Sequence, residues 1–248
     1  IASLFTHREF FLVVAILGVG VATWELCEAL TRTGIHVPVI PAVLGTPASI
    51  LAGFFYGGHG VALAIGATIM LGIAWRAVES ATGRLKDVQG IVFVACYPNL
   101  LAGFVGMLLA PPDGAARGFV FLLVTTFSDI GGYAVGVLFG KHPMAPSVSP
   151  KKSWEGFAGS VLFCVITATI SIALFFHVSL LAGFLVGVLT AMGATLGDLF
   201  ESLIKRDLSI KDMSAILPGH GGLMDRIDSL VITAPLVWFV LTVFVPGT

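Results

Sequence analysis

Charged and polar side chains crowd into residues 202–228, S-L-I-K-R-D-L-S-I-K-D-M-S-A-I-L-P-G-H-G-G-L-M-D-R-I-D, with long apolar runs on both sides. Every charge in such surroundings is buried or solvated at a cost, so a dense charged stretch needs a chemical reason. Residues 197–206 read G-D-L-F-E-S-L-I-K-R. There Asp198, Glu201 or Ser202, and Lys205 recur three to four apart and share one helical face. One carboxylate of that face suits a divalent ion while Lys205 faces a phosphate. Mg²⁺ takes hard oxygen ligands and is held by one or two carboxylates plus substrate phosphates. The plain alternative is an i,i+4 ion network at a helix end. In residues 218–228, P-G-H-G-G-L-M-D-R-I-D, the glycines around His220 free backbone N–H groups for an anion nest, Gly221 and Gly222 among them. Asp225 and Asp228 also fit the N-cap and N3 positions of the helix that follows. A cap alone has no need of His220, Arg226 and three glycines beside it.

Two earlier stretches add to this chemistry. Asp129 lies in T-F-S-D-I-G-G-Y, inside an apolar segment, with Ser128 and Tyr133 nearby. A carboxylate at such depth reads as functional by default, although a packing kink around a hydrogen-bonded carboxyl is the bland reading. Residues 149–156, S-P-K-K-S-W-E-G, offer Lys151 and Lys152 to phosphates as mobile point charges. An ordinary positively charged loop would look the same. Glu155 falls at a helix start, where a carboxylate is favoured. The carboxylate set is therefore Asp129, Glu155, Asp198, Glu201, Asp225 and Asp228. There is no zinc spacing, no phosphate loop of the G-x-x-x-x-G-K type and no dinucleotide fingerprint. Hard carboxylates interleaved with Lys, Arg and His favour Mg²⁺-assisted phosphoryl or nucleotidyl transfer.

The elements that must position these groups are membrane helices. The chain is 57% hydrophobic and only 11% charged, against about a quarter charged in soluble domains. Eight apolar segments, roughly 9–30, 37–56, 60–79, 89–110, 117–139, 156–177, 179–201 and 227–245, each approach the ~20 residues that span a bilayer. Backbone groups in lipid must pair within their own segment, so the segments are helices. The fold class is all-α: a polytopic membrane protein with about eight transmembrane helices. Residues 1–110 form N-terminal transmembrane helices. Residues 111–248 form a catalytic region with cytoplasmic loops 140–155 and 202–225. Pro38, Pro41 and Pro47 make the second segment the least regular, and Asp129 with Gly131 and Gly132 points to a break in the fifth. If the helices alternate, Arg32, Arg84, Lys86, Lys141, Lys151, Lys152, Lys205, Arg206, Lys211 and Arg226 all face one side. The positive-inside rule makes that side cytoplasmic. Ile1 then falls outside, and one further helix upstream would restore a cytoplasmic start. Cys27, Cys96 and Cys164 are scattered in apolar runs and read as small hydrophobes. A net charge of -1 excludes a polybasic surface for nucleic acid.

At the residues already described, the sequence resembles the phosphatidate cytidylyltransferase (CDP-diacylglycerol synthase) family. Its signature, S-x-hydrophobic-K-R, four residues, K-D, then P-x-H-G-G and D-R-x-D, is carried by Ser202, Lys205, Arg206, Lys211, Asp212, Pro218, His220, Gly221, Gly222, Asp225, Arg226 and Asp228. The stretches 128–133, Gly140 with Lys141, and 149–156 are similar too. Val137 departs from the pattern, standing where many relatives carry a basic residue. The resemblance spans roughly 119–245; the first hundred residues match only in hydrophobic character.

The resemblance implies a Mg²⁺-dependent, often dimeric enzyme of the bacterial inner membrane whose active site faces the cytoplasm. It would convert CTP and phosphatidic acid to CDP-diacylglycerol and pyrophosphate. It further implies that Asp198 and Asp225 are central metal ligands and that a monovalent ion such as K⁺ can accompany Mg²⁺. Asp129 is a further candidate ligand. Lys205, Arg206, Lys151 and Lys152 would offset substrate charge, and His220 would bond a phosphate oxygen. The rivals are a CTP-dependent lipid-alcohol kinase, a polyprenyl-phosphate transferase and, from another class, a membrane transporter. The charges collect at one face rather than along a route, which speaks against transport.

Overall fold

A computed structural model describes residues 8–79, 84–214, 216 and 221–245. It is almost entirely helical. In chain order the elements are α1 (Arg8–Arg32), α2 (Val39–Val78), α3 (Arg84–Val94), a π-helical turn (Ala95–Leu100), α4 (Leu101–Leu109), α5 (Gly114–Phe139), β1 (Pro143–Ala145), β2 (Ser149–Ser153), α6 (Trp154–Phe175), α7 (Leu180–Asp207) and α8 (Met224–Phe244). Among the described residues, seven helical stretches are long and apolar enough to cross a bilayer, as the expected polytopic membrane protein requires.

One of the seven is doubled. Helix α2 has 40 residues, about 60 Å of helix, roughly twice a hydrocarbon core. It folds back at Gly57, whose φ of 62° suits glycine. The two legs lie against each other: a Cβ on Gly45 would stand 2.6 Å from Thr68 Cγ2, and one on Gly60 would stand 2.6 Å from the Ala52 carbonyl. These legs are the second and third apolar segments, so the described residues hold eight apolar spans. Pro38 precedes the helix in extended conformation, and Pro41 lies in its first turn, where a missing N–H leaves no acceptor wanting. Helix α2 continues through Pro47.

The chain divides into two compact units. One comprises Thr6–Ala110 together with Asp207–Ile227. In it, the π-helical turn around Pro98 carries the fully buried Asn99. Asn99 Oδ1 accepts from Thr46 Oγ1 at 2.7 Å and Thr23 Oγ1 at 3.2 Å, and its Nδ2 donates to the Ala42 carbonyl at 2.9 Å. A buried amide is thus satisfied by α1 and α2 together. Arg76, at the end of α2, donates to Asp87 Oδ2 through Nε at 3.2 Å and Nη2 at 2.6 Å; Asp87 Oδ1 accepts from the His36 N–H at 2.8 Å. The Arg76 guanidinium, and after it the Trp75 indole, hold the exposed Glu79 carboxyl below its usual range.

The other unit comprises 111–206 and the chain from Asp228 onward. Helix α5 runs unbroken through Asp129, Gly131 and Gly132, which corrects the expected interruption. The glycines serve close packing instead. A Cβ on Gly131 would lie 2.8 Å from the Gly159 carbonyl, and Ser160 Oγ donates to the Ser128 carbonyl at 2.8 Å. Small residues facing each other let α5 and α6 approach. Arg117 is buried. Its Nε donates to Asp113 Oδ1 at 2.8 Å, Nη1 to the Leu241 carbonyl at 3.1 Å and Nη2 to the Val245 carbonyl at 2.7 Å. The start of α5 is thereby pinned to the end of α8, where the Leu241 carbonyl also accepts from the Val245 N–H at 3.1 Å. The region read as the loop 140–155 contains an antiparallel hairpin, β1 with β2, pairing Pro143 with Ser153 and Ala145 with Ser149. This hairpin departs from the all-α expectation.

Candidate active site

In the second of these units, four elements converge on Asp198. Helix α7 presents Asp198, Glu201 and Lys205 on one face, as their spacing predicts, with Lys205 Nζ donating to Glu201 Oε2 at 2.8 Å. Strand β2 delivers Lys152, whose Nζ donates to Asp198 Oδ2 and reaches the Thr195 carbonyl at 3.4 Å. Helix α8 delivers Ser229, whose Oγ donates to Asp198 Oδ1 at 2.5 Å. Its neighbour Asp228 is buried, accepts from the Ser229 N–H at 2.8 Å and lies beside Glu201 and within the field of Asp198 and Lys205. From α5, Asp129 stands in the field of Asp198 and Lys152. Gly197 permits the convergence: a Cβ there would meet the Asp228 carbonyl at 2.8 Å. Among the described residues, Asp129, Asp198, Glu201 and Asp228 gather here with Lys152 and Lys205, four carboxyl groups beside these two ammonium groups. Asp198 keeps a third of its side-chain surface open and is accessible to a ligand.

The residues fit Mg²⁺ held jointly with a substrate. Among the described residues, no three Asp, Glu, His or Cys side chains form a ready-made cation cage. Mg²⁺ does not need one, because it dehydrates reluctantly and is held by one or two carboxylates plus substrate phosphates. Hard oxygens with surplus negative charge around an accessible Asp198 meet that description.

The hairpin has its own anchor. Ser153 Oγ caps α6 by accepting from the Gly156 N–H at 3.1 Å. Glu155 Oε2 accepts from the Lys141 and His142 N–H groups at 3.1 and 3.2 Å, and Oε1 pairs with His142 Nδ1 at 2.5 Å. Glu155 thus holds the base of the hairpin that carries Lys152. Lys151 is exposed, Ser202 is half-buried, and Arg206 Nε reaches the Val148 carbonyl at 3.5 Å.

In the other unit, Asp225 Oδ2 accepts from the Gly222 N–H at 2.8 Å and from the Met213 N–H at 3.1 Å. The Gly222 N–H, expected in an anion nest, is donated to this carboxylate. Gly221 has φ 81°, a conformation open to glycine. Helix α8 begins at Met224, so Asp225 lies inside its first turn rather than at the N-cap. The Leu223 and Met224 N–H groups go to Glu25, on α1. Lys211, Asp212 and Arg226 are exposed. Pro218, Gly219 and His220 lie outside the described residues.

Two residues of these clusters escaped the sequence reading. Ser229 follows Asp228 directly, and a D-S pair in an apolar helix was the available signal. Glu25 sits in the first apolar segment, and the reasoning that singled out Asp129 applies to it equally.

The chain matches the model of a family described as "Cytidylyltransferase family" over residues 1–244. It is 43% identical over 252 residues to a phosphatidate cytidylyltransferase of Mycobacterium bovis, an alignment covering 96% of this chain and 82% of the relative. It is 40% identical to the protein of that name from Mycobacterium leprae, covering 98% of this chain and 83% of the relative. With the one from Bacillus subtilis it shares 37% identity over 178 residues, 71% of this chain and 66% of the relative.

Proposed function

The chain belongs to the cytidylyltransferase family, and from that premise we propose that it transfers the cytidylyl group of CTP to phosphatidic acid, yielding CDP-diacylglycerol and pyrophosphate. The observation that carries the reading is the accessible Asp198, gripped by Lys152 and Ser229 among a surplus of carboxylates. A phosphate oxygen of phosphatidic acid attacks the α-phosphorus of CTP. The bond from that phosphorus to the bridging oxygen breaks, and its electron pair leaves with pyrophosphate. The attacking oxygen is already anionic, so no strong general base is needed.

Lys152 exchanges its grip on Asp198 for substrate phosphate, with Lys151, Lys205, Arg206, Lys211 and Arg226 adding positive charge along the approach. Ser202, Gly221 and Gly222 serve substrate binding in the same reading, and His220 donates to a phosphate oxygen. Asp198 and Asp225 would be the central holders of Mg²⁺, with Asp129, Glu155, Glu201 and Asp228 as the supporting carboxylates. When bound, Mg²⁺ neutralises developing charge on the transferred and leaving phosphates. K⁺ as a companion cation belongs to the same reading.

The catalytic region is 111–248, and the protein works in the bacterial inner membrane with this region's site on the cytoplasmic side. The one-sided distribution of loop lysines and arginines supports that orientation. A homodimer is the working form, to be checked by light scattering in detergent. The functional test is pyrophosphate release from purified protein in liposomes, with CTP, phosphatidic acid and Mg²⁺ omitted in turn. Release that needs all three supports the proposal. Turnover with a lipid alcohol in place of phosphatidic acid refutes it.

A further inference from the structure

Glu25 is fully buried in the membrane helix α1, where an isolated carboxylate would be costly. It is not isolated. Oε1 accepts from Ser214 Oγ at 2.5 Å and from the Leu223 N–H at 2.9 Å, and Oε2 accepts from the Met224 N–H at 2.8 Å. The two backbone donors open α8, where N–H groups have no intrahelical acceptor and the helix dipole favours negative charge. Residues 222–223 are Gly and Leu, which carry no capping side chain. A carboxylate from a helix 198 residues away in sequence from Leu223 supplies the cap instead.

The same two stretches of chain are held a second time by Asp225, which accepts from the Met213 and Gly222 N–H groups. Glu25 and Asp225 therefore divide the donors of 213–214 and 222–224 between them, one carboxylate on each side. Gly222 is squeezed between the two. A Cβ there would lie 2.8 Å from Glu25 Oε2 and 3.0 Å from Asp225 Oδ2. Whatever moves Glu25 moves the first turn of α8, and with it Asp225.

We infer that Glu25 is a positioning residue for nucleotidyl transfer, fixing Asp225 and the start of α8 from the first described helix. It lies outside the signature that carries the family resemblance. The inference rests on the proposed reaction for its kinetic consequence, but its structural half can be read without turnover. In Glu25→Gln one carboxylate oxygen becomes an NH₂ group, which confronts N–H donors it cannot accept. A displacement of the order of 1 Å at a catalytic group costs roughly a hundredfold in rate.

The experiment compares wild type, Glu25→Gln and the control Glu28→Gln in the same micelles. It reads kcat and KM for CTP and phosphatidic acid with Mg²⁺, together with hydrogen exchange at the Leu223 and Met224 amides. In Glu25→Gln, kcat is expected to fall about ten- to a hundredfold with KM for phosphatidic acid unchanged and exchange at both amides accelerated. Glu28→Gln should match wild type in all three. A Glu25→Gln enzyme with wild-type kcat overturns the inference, as does a loss explained by folded yield alone. A wild type silent with CTP and phosphatidic acid overturns the proposed reaction, while unaltered amide exchange overturns the positioning. Should Glu25→Gln not fold, Gly222→Ala presses on the same contact from the other side, and an unchanged kcat there rejects the idea.

Discussion

Replacing Arg117 by Met should destabilise the protein by about 4 kcal/mol, close to the middle of the range for breaking a buried ion pair. Three charge-assisted hydrogen bonds disappear: one to Asp113 and one each to the Leu241 and Val245 carbonyls. Each is worth about 1.5–3 kcal/mol, so the gross loss is larger. The net is smaller because Asp113, with 16% of its side chain exposed, regains some water, and the Met stem keeps part of the packing. The Phe176 ring, 6.0 Å from the guanidinium carbon, adds little. At about 1.4 kcal/mol per decade, 4 kcal/mol is nearly a thousandfold in the folding equilibrium. For a chain of this size it is a fall of roughly 8–16 °C in melting temperature. The assay is thermal unfolding in detergent micelles, followed by Trp fluorescence. Arg117→Lys keeps the charge but cannot span all three acceptors, so about half the loss should remain. A Met variant melting within about 3 °C of wild type, under ~1.5 kcal/mol by the same scaling, would show that the reasoning about this buried pin is wrong.

Two further outcomes follow from particular contacts. Asn99→Leu leaves the Ala42 carbonyl without its side-chain donor and Thr46 without its acceptor at 2.7 Å; Thr23 keeps the Val19 carbonyl. The expected cost is about 2 kcal/mol, read as a lowered melting temperature with kcat per folded molecule unchanged. Lys152→Met should lower kcat/KM for CTP about a hundredfold, as loss of one preorganised cationic donor does. Its ion pair with Asp198 is partly exposed, so stability should shift by less than ~1 kcal/mol; steady-state kinetics beside a melting curve separates the two.

Element existence was plainly legible, because bilayer thickness and unpaired backbone groups leave only apolar helices of about this length. Even the fold-back at Gly57 falls in the short gap left between the second and third apolar segments. What depended on partners was less legible. Asp129, Gly131 and Gly132 read as a break because three helix-weakening residues cluster there, but α6 presents its own glycine opposite them and the helix continues. Strands of three and five residues, one holding Pro150 and two lysines, leave no periodicity to read. Arg117 opens the fifth apolar segment, and its two carbonyl acceptors lie more than a hundred residues later, beyond the reach of local pattern. At the site, the i,i+4 face of Asp198, Glu201 and Lys205 was visible from spacing alone. The Lys152 and Ser229 contacts to Asp198, and the Glu25 cap of α8, are long-range pairings that local pattern does not encode. Asp225 fits an N-cap by local pattern, and nothing local announces that Glu25 of the first helix caps α8 instead.

The most direct measurement of the central claim follows the label of CTP carrying radioactive phosphorus at either the α or the γ position, supplied with phosphatidic acid and Mg²⁺. Nucleotidyl transfer places the α label in the organic-soluble lipid and the γ label in pyrophosphate. The γ label appearing in lipid, with CDP left in solution, would mean phosphoryl transfer and would contradict the account.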